Sequence, residues 1–209
     1  MTKMLLAHGS SDSIHGKQVL SLAAKVSTLL DKEVRAAFLS DDKLPKDAHV
    51  LPLFLGAGKH VTEDIPKLAA ASQSTLLPSL GEHSEAIVEL AYDALTHETK
   101  RINVLFALYR FGGFEQLSAA LHASNKRCSQ VAMASMHSEP SVTSVLNLWH
   151  DDDIETVTLQ PMLLFPGHSL ARVRTMINES AIPDVTVAAV LSELDGFAEL
   201  VADCFRSDK

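Results

Sequence analysis

Two histidines in the first half of the chain each lie in a turn that follows a short apolar segment. His8 comes directly after Lys3–Ala7, and His60 lies in the stretch Val50–Lys67, which reads VLPLFLGAGKHVTEDIPK. Imidazole binds divalent first-row metals well and exchanges protons near neutral pH. The pair is therefore predicted to bind a metal or to act in acid–base catalysis. The alternative is that each histidine caps its own turn and stays solvated.

The segments before the two histidines have the pattern of strands in a parallel sheet. A short, nearly all-apolar run is typical of a strand that is buried on both faces by helices. The turn after such a strand lies at its carboxyl end, where ligands bind in open α/β sheets. We therefore predict that His8 and His60 follow neighbouring strands and face one cleft. Gly56 and Gly58 are expected to let the backbone turn sharply and to keep the space in front of His60 free.

The stretch around His60 recurs in the second half of the chain as TLQPMLLFPGH, which ends at His168. The segments that form the last predicted helix of each half also match. Agreement over several elements indicates an internal duplication. We therefore predict two similar domains, with the first at residues 1–98 and the second at residues 99–209.

Strands and amphipathic helices alternate through both halves, which predicts an α/β fold with two three-layer domains and mainly parallel four-stranded sheets. The segment Ser40–Ala48 departs from this rhythm, because it is too short for a crossover helix and its two loops. It is expected to be a loop, and to leave an apolar sheet face that another domain or subunit covers. The predicted strands are Lys3–Ala7, Val34–Leu39, the run that begins at Val50, Thr75–Pro78, Ile102–Tyr109, Gln130–Met136, Ile154–Leu164 and Val185–Leu191.

The second half differs from the first at one chemically important position, because Arg110 is predicted to stand where His8 stands in the first half. A guanidinium group is a poor metal ligand but a good partner for carboxylates. One half is therefore predicted to hold a metal, while the other could hold an acidic substrate. The candidate cations for that substrate are Lys59, Arg110, Arg172 and Arg174.

Composition and motif spacing limit the other possibilities. A formal net charge of −8 argues against general nucleic-acid binding, which requires a basic surface. No apolar run approaches the ~20 residues needed to cross a bilayer, so we expect no membrane association and a cytoplasmic protein. Cys128 and Cys204 are isolated and are expected to be buried thiols. The GAGKH segment lacks the first glycine and the final Ser or Thr of a phosphate loop, so no nucleotide cofactor is expected.

The histidine-bearing segments LLAHGSSD, PLFLGAGKHVTEDIP and QPMLLFPGH resemble those of the class II chelatases, the cobalt- and iron-inserting sirohydrochlorin chelatases, in their long two-domain form. The resemblance spans nearly the whole chain. It implies two chelatase-like α/β domains that face a cleft. It also implies ATP-independent insertion of a divalent metal, cobalt or ferrous iron, into an acidic tetrapyrrole such as sirohydrochlorin. On this reading His8 and His60 are both metal ligands and catalytic residues, and the protein is a monomer or a homodimer.

Two features depart from the family pattern. The family usually carries an acidic residue soon after the second strand, whereas Ser40 follows Leu39 here, and the first half lacks its crossover helix. In the corresponding region of the second half, it is left open whether Glu139 or His137 takes the role of this acidic residue. A protein that binds metal or tetrapyrrole without turnover is therefore the alternative to a chelatase. The candidate substrate-binding residues are Ser10, Gly58, Lys59, Arg110 and His168.

Overall fold

The computed structural model of the protein describes residues 2–9, 13–41, 43–95, 102–109, 114–124 and 128–207. The chain divides into two compact units. One comprises Met1–Ala86 together with Asp195–Lys209, and the other comprises Ile87–Leu194. Each unit contains a four-stranded sheet with only parallel pairs between its strands. The predicted α/β fold with two similar domains is therefore confirmed.

The helices and strands follow the predicted order, and each described strand begins and ends within a few residues of its prediction. The strands are β1 Lys3–Ala7, β2 Val34–Phe38, β3 His49–Pro52, β4 Thr75–Leu76, β5 Asn103–Leu108, β6 Gln130–Ser135, β7 Thr156–Pro161 and β8 Asp184–Val187. The α-helices are α1 Ser13–Leu30, α2 Ile65–Ala71, α3 Ser84–Leu95, α4 Phe114–Ala123, α5 Val142–Asp151, α6 His168–Asn178 and α7 Phe197–Arg206. A π-helical turn, His60–Asp64, runs directly into α2.

The two sheets have the same strand order, which places the first strand of each unit at an interior position. The orders are β2-β1-β3-β4 and β6-β5-β7-β8. In the first unit, Leu5 and Leu6 point to opposite faces of β1 and both are fully buried. This two-sided burial explains why the strand is apolar along its length. In β1 the polar side chains therefore lie at the ends of the strand, where Lys3 begins it and His8 follows it.

The compact units and the sequence repeat divide the chain at different places. Helix α7 packs on α1 in the first unit, and Arg206 donates to the carbonyl of Leu29 (2.8 Å). Most of α3 belongs to the second unit, where the Tyr92 hydroxyl donates to the carbonyl of Leu121 (2.7 Å). A boundary near residue 98 therefore separates the two sequence repeats. The compact units differ from the repeats because α3, the last helix of the first repeat, lies mostly in the second unit, and α7, the last helix of the second repeat, lies in the first unit.

The segment between β2 and β3 contains no helix in its described residues, as predicted, and it covers the sheet together with α2 of the same unit. Leu44 is 6% exposed and joins a buried cluster with Met4, Leu6 and Val50. The backbone N–H of Leu44 also donates to the Ser72 hydroxyl at the end of α2 (3.2 Å). The expectation that another domain or subunit covers this face is wrong, because Leu44 makes the apolar contacts that a crossover helix would otherwise make.

Replacing Leu44 with alanine is expected to destabilise the protein by about 2–4 kcal/mol, since it removes a buried side chain and leaves a cavity against the sheet. The measurement is the shift of the urea unfolding midpoint. Leu20→Ala is the matched control, because Leu20 lies on α1 with 58% of its surface exposed. Equal losses of stability in the two variants would contradict this assignment of Leu44 to the core.

Both cysteines are buried free thiols, as predicted. Burial raises the pKa of Cys204 to about 11 and also raises the pKa of Cys128. Neither thiol is therefore poised to react as a thiolate. Among the helices that the structure describes, none combines the length and apolar character needed to span a membrane.

Candidate functional site

The rings of His8 and His60 meet at the carboxyl edge of the first sheet. Their Nε2 atoms are 3.1 Å apart. The ring centroids are 4.7 Å apart, and the ring planes are inclined at 75°. Both residues are exposed, so a ligand can reach the two Nε2 atoms from solvent. The sequence prediction that these two side chains converge agrees with this geometry.

The parallel pairing of β1 with β3 creates this convergence. His8 directly follows the last residue of β1, and the N–H of Leu53 extends the pairing by donating to the carbonyl of Leu6 (2.8 Å). The chain then leaves the sheet and returns to begin the π-helical turn at His60. The helical turn begins at His60, because the N–H of Val61 already donates to the carbonyl of Gly58 (2.9 Å).

The outer nitrogens of the two rings both face hydrogen-bond acceptors. His8 Nδ1 is 2.9 Å from the carbonyl oxygen of Gly9, and His60 Nδ1 is 2.7 Å from Oδ2 of Asp64. A carbonyl or a carboxylate can only accept, so each Nδ1 carries the hydrogen. A neutral imidazole has one N–H, which leaves a lone pair on each Nε2. The two Nε2 atoms, 3.1 Å apart, are therefore placed either to share a hydrogen bond or to bind one metal ion.

The spacing of the two Nε2 atoms suits the binding of a divalent metal ion. A four-coordinate first-row ion with metal–nitrogen bonds of about 2.0–2.1 Å holds two ligand nitrogens roughly 3.3 Å apart. The observed 3.1 Å is close to that separation. Within the described residues, no group of three or more His, Cys, Asp or Glu side chains is arranged to hold a metal. A site with two imidazole ligands leaves the remaining coordination positions open to other ligands.

The loop before His60 forms the wall of the site. The Phe54 ring centroid lies 6.4 Å from the centroid of His8 and 6.4 Å from that of His60. Gly58 and Lys59 are exposed, and a Cβ added to Gly58 would meet no atom within 4 Å. The space beside Gly58 is thus open, as predicted. Gly56 lies in a bend of the backbone, and the glycine with a left-handed backbone near the site is Gly9 (φ 86°).

The second unit has a different residue at the position of His8. Leu6 pairs with Pro52 in the first sheet, and Ala107 pairs with Pro161 in the second. The residue two positions after Ala107 is Tyr109, so Tyr109 is the counterpart of His8. The prediction that Arg110 takes this position is therefore wrong by one residue. Arg110 itself lies outside the described residues, as does Ser10.

Tyr109 is held in place by two neighbours. Its hydroxyl is hydrogen-bonded to the Ser169 hydroxyl. Its ring stacks on His137, with the centroids 4.5 Å apart and the planes inclined at 28°. A phenol and a stacked imidazole replace the first histidine here, so the edge of the second sheet does not repeat the arrangement of two facing Nε2 atoms.

The helix after the second-unit turn differs from its counterpart in charge. His168 is exposed and begins α6, just as His60 begins the π-helical turn. Four residues later Arg172 stands where the first unit has Asp64. A cation at this position cannot accept a hydrogen bond from the imidazole. The second-unit edge therefore lacks the carboxylate that contacts the imidazole of His60 in the first unit.

Comparison with known proteins finds a family match in the first half of the chain. The CbiX family model matches residues 3–98, the segment that carries both His8 and His60. The resemblance to the class II chelatases is thereby confirmed. No curated protein sequence matches the chain.

Solved chelatase structures share the fold of this chain over nearly its whole length. The chain is similar to CbiX, described as the terminal enzyme for siroheme biosynthesis in denitrifying bacteria, with a TM-score of 0.78, 15% identity and 100% of both chains covered. It is similar to SirB from Bacillus subtilis with Fe3+ at a TM-score of 0.79, 14% identity, and 99% and 94% coverage of the two chains. It is also similar to SirB from Bacillus subtilis subspecies spizizenii in complex with cobalt, with a TM-score of 0.67, 18% identity, and coverage of 99% of this chain and 92% of that chain.

Asp64 is a candidate functional residue that the sequence analysis missed. Its spacing of four residues from His60 was the available signal, because residues i and i+4 lie on one face of a helix. Asp64 makes no side-chain capping hydrogen bond to the helix that follows. Its carboxylate is therefore committed to His60 rather than to the helix end.

The acidic residue expected after the second strand has no direct equivalent in the described residues of the first unit. Ser40 lies beside the His8 turn, since its Oγ would be 3.6 Å from a Cβ built on Gly9. The Asp41 carboxylate accepts from the N–H of Phe38 within its own turn (2.8 Å). Asp42 lies outside the described residues. Ser40 therefore lies beside the His8 turn, where the resemblance leads us to expect an acid.

In the second unit the candidate acid Glu139 is engaged in its own segment. Its carboxylate accepts from the Ser144 hydroxyl (2.7 Å) and from the Ser141 N–H (2.9 Å) at the start of α5. These hydrogen bonds, the one from Ser144 first, hold the pKa of Glu139 below its ordinary value. Glu139 thus stabilises the beginning of α5, and His137 stacks on Tyr109.

Proposed function

We propose that this protein is a chelatase that inserts divalent cobalt or iron into sirohydrochlorin or a related acidic tetrapyrrole without ATP. The observation that carries the proposal is the pair of facing Nε2 atoms of His8 and His60, 3.1 Å apart, in the segment that the CbiX family model matches. The similar structures of CbiX, a siroheme enzyme, and of SirB with Fe3+ or cobalt support the same reaction class.

In this proposal the metal arrives as a substrate and binds to His8 Nε2 and His60 Nε2. Two imidazole ligands hold a divalent ion only moderately, which favours transfer to a macrocycle with four nitrogens. Each pyrrole N–H loses its proton as a metal–nitrogen bond forms. The imidazole lone pairs released by the metal accept those protons, since histidine exchanges protons near neutral pH. His8 and His60 thus serve as both ligands and bases.

The carboxylates of the substrate require local cations, because the chain carries a formal net charge of −8. Lys59 precedes His60 and is exposed beside the metal pair. In the second unit, Arg172 and Arg174 are exposed on α6, close to His168. We assign substrate binding to these residues and, from the sequence, to Ser10, Gly58 and Arg110.

The second candidate function is a carrier that binds metal or tetrapyrrole without turnover. The observation that favours it is Ser40, which lies where the resemblance leads us to expect an acidic residue. Single-turnover experiments with sirohydrochlorin and Co2+ or Fe2+ distinguish the two functions. A chelatase accelerates metal insertion over the reaction without protein, whereas a carrier binds its ligands and leaves the rate unchanged.

Removing a second-unit cation is expected to weaken substrate binding without affecting the metal. Arg172→Ala is expected to raise the tetrapyrrole concentration at half-maximal rate about tenfold, the equivalent of one charge-assisted hydrogen bond. His168→Ala and Arg110→Ala are expected to act in the same direction. Insertion kinetics and Co2+ titration are the measurements. Loss of Co2+ binding in any of these variants would contradict the assignment of the metal to the first unit.

A further inference from the structure

A turn in the first unit supports the loop that carries His60. We call residues 54–59 the site loop and residues 79–83 the support turn. The N–H of Gly81 donates to the carbonyl of Phe54 (2.8 Å). A Cβ built on Gly81 would lie 2.3 Å from the carbonyl oxygen of Leu55 and 2.7 Å from its carbonyl carbon. The two backbones therefore approach more closely than any residue with a Cβ permits.

The support turn is itself firmly held. The N–H of Ser79 donates to Oε1 of Glu82 (2.8 Å), and the N–H of Glu82 donates back to the carbonyl of Ser79 (2.9 Å). Leu80 is fully buried beside this reciprocal pair. The N–H of Leu77 ties the preceding chain to the carbonyl of Val50 in β3 (2.9 Å). A group added at Gly81 would consequently displace the site loop rather than the turn.

The site loop has few other attachments. Leu53, the residue before the loop, is bonded to β1, and Gly58 accepts only from the helical turn that follows the loop. In the described part of the chain, one backbone hydrogen bond joins the loop to a segment other than the adjacent helical turn. It is the bond from the Gly81 N–H to the Phe54 carbonyl. The Phe54 ring in turn lies beside both histidine rings.

We propose that Gly81 is a positioning residue for the metal site, and this inference rests on the proposed function. Contact of the support turn with the backbone of Phe54 and Leu55 fixes where the loop returns to His60. It thereby fixes the distance between the Nε2 atoms of His60 and His8. Glycine is required by the close approach and not by backbone strain, because Gly81 does not have a left-handed φ.

Gly81→Ala tests the inference. Cβ contacts under 3.0 Å essentially do not occur, so the carbonyl of Leu55 would have to move by roughly 1 Å. We expect the Kd for Co2+ to rise about tenfold and the absorption bands of bound Co2+ to shift, as the ligand geometry is disturbed. kcat should fall, and the half-saturating tetrapyrrole concentration should rise as well, because Gly58 and Lys59 lie in the displaced loop. A merely structural defect would not shift the absorption bands of bound Co2+.

Gly16→Ala is the matched control, because a Cβ on Gly16 in α1 would meet nothing within 4 Å. It should retain the Co2+ affinity and spectrum of the wild type. Glu82→Ala is a second variant that weakens the support turn without adding bulk, and it should raise the Kd for Co2+ about threefold. Circular dichroism and thermal unfolding establish that each variant is folded.

A folded Gly81→Ala protein with wild-type Co2+ affinity and spectrum would overturn the inference. If Gly81→Ala does not fold, wild-type affinity in Glu82→Ala would overturn it instead. A wild-type protein that binds no Co2+ would overturn the proposed function, which is a different result from intact binding in the Gly81 variant.

Discussion

His8→Ala and His60→Ala are each expected to abolish Co2+ binding and metal insertion while leaving the fold intact. The two Nε2 atoms lie 3.1 Å apart and face one point, so either substitution leaves a single imidazole at the site. One imidazole holds a divalent ion too weakly to concentrate it from dilute solution. Both residues lie in exposed turns at the rim of the sheet, so their removal creates no cavity in the core. Co2+ titration and single-turnover insertion are the measurements.

His150→Ala serves as the control for these two variants. His150 is an exposed histidine near the end of α5, and its removal is expected to change neither binding nor insertion. Full activity in both His8→Ala and His60→Ala would show that the pair is not the working site. Loss of metal binding only in His168→Ala would place the chemistry in the second unit.

The positions of the strands and of the two histidines could be predicted because the signals are local. Each strand is a short apolar run bounded by turn residues, and β2 was placed at Val34–Leu39 against an observed Val34–Phe38. His8 and His60 directly follow or closely follow such runs. Once the sheet is parallel, its geometry brings neighbouring strand ends together at one edge.

The error at Arg110 came from aligning the repeat without a sheet register. Pro161 follows Pro52 by 109 residues, whereas His168 follows His60 by 108, so the second copy is one residue shorter between these two positions. The sequence does not reveal how such a change affects the opposite strand. Hydrogen-bonded pairing shows that Tyr109 takes the position of His8.

Contacts between distant segments could not be predicted either. Leu44 covers the sheet in place of a helix, and Gly81 supports a loop that ends more than twenty residues before it. Such contacts depend on how loops fold back on the sheet. Neither the hydrophobic periodicity of the sequence nor its composition determines the conformation of these loops. Asp64 is different, because its helical spacing from His60 was readable in the sequence.

Asp64→Asn is expected to weaken Co2+ binding and insertion by about 10–100-fold, the usual effect of removing a carboxylate that orients a ligating histidine. The Asp64 carboxylate accepts from His60 Nδ1 at 2.7 Å and so directs the Nε2 lone pair toward His8. An asparagine amide has no negative charge, and it can rotate to present N–H groups instead of its oxygen. The tautomer and the orientation of His60 would then no longer be fixed.

Glu63→Gln is a matched control on the same helical turn. Glu63 lies next to Asp64 in sequence and pairs with Lys67 at 3.6 Å, an exposed ion pair of little energetic value. The substitution removes the same charge and is expected to leave Co2+ binding within about twofold of the wild type. Asp64→Glu should recover part of the lost affinity, because a carboxylate can again reach Nδ1. Equal effects of Glu63→Gln and Asp64→Asn would mean that general charge, rather than orientation of His60, governs metal binding at this edge.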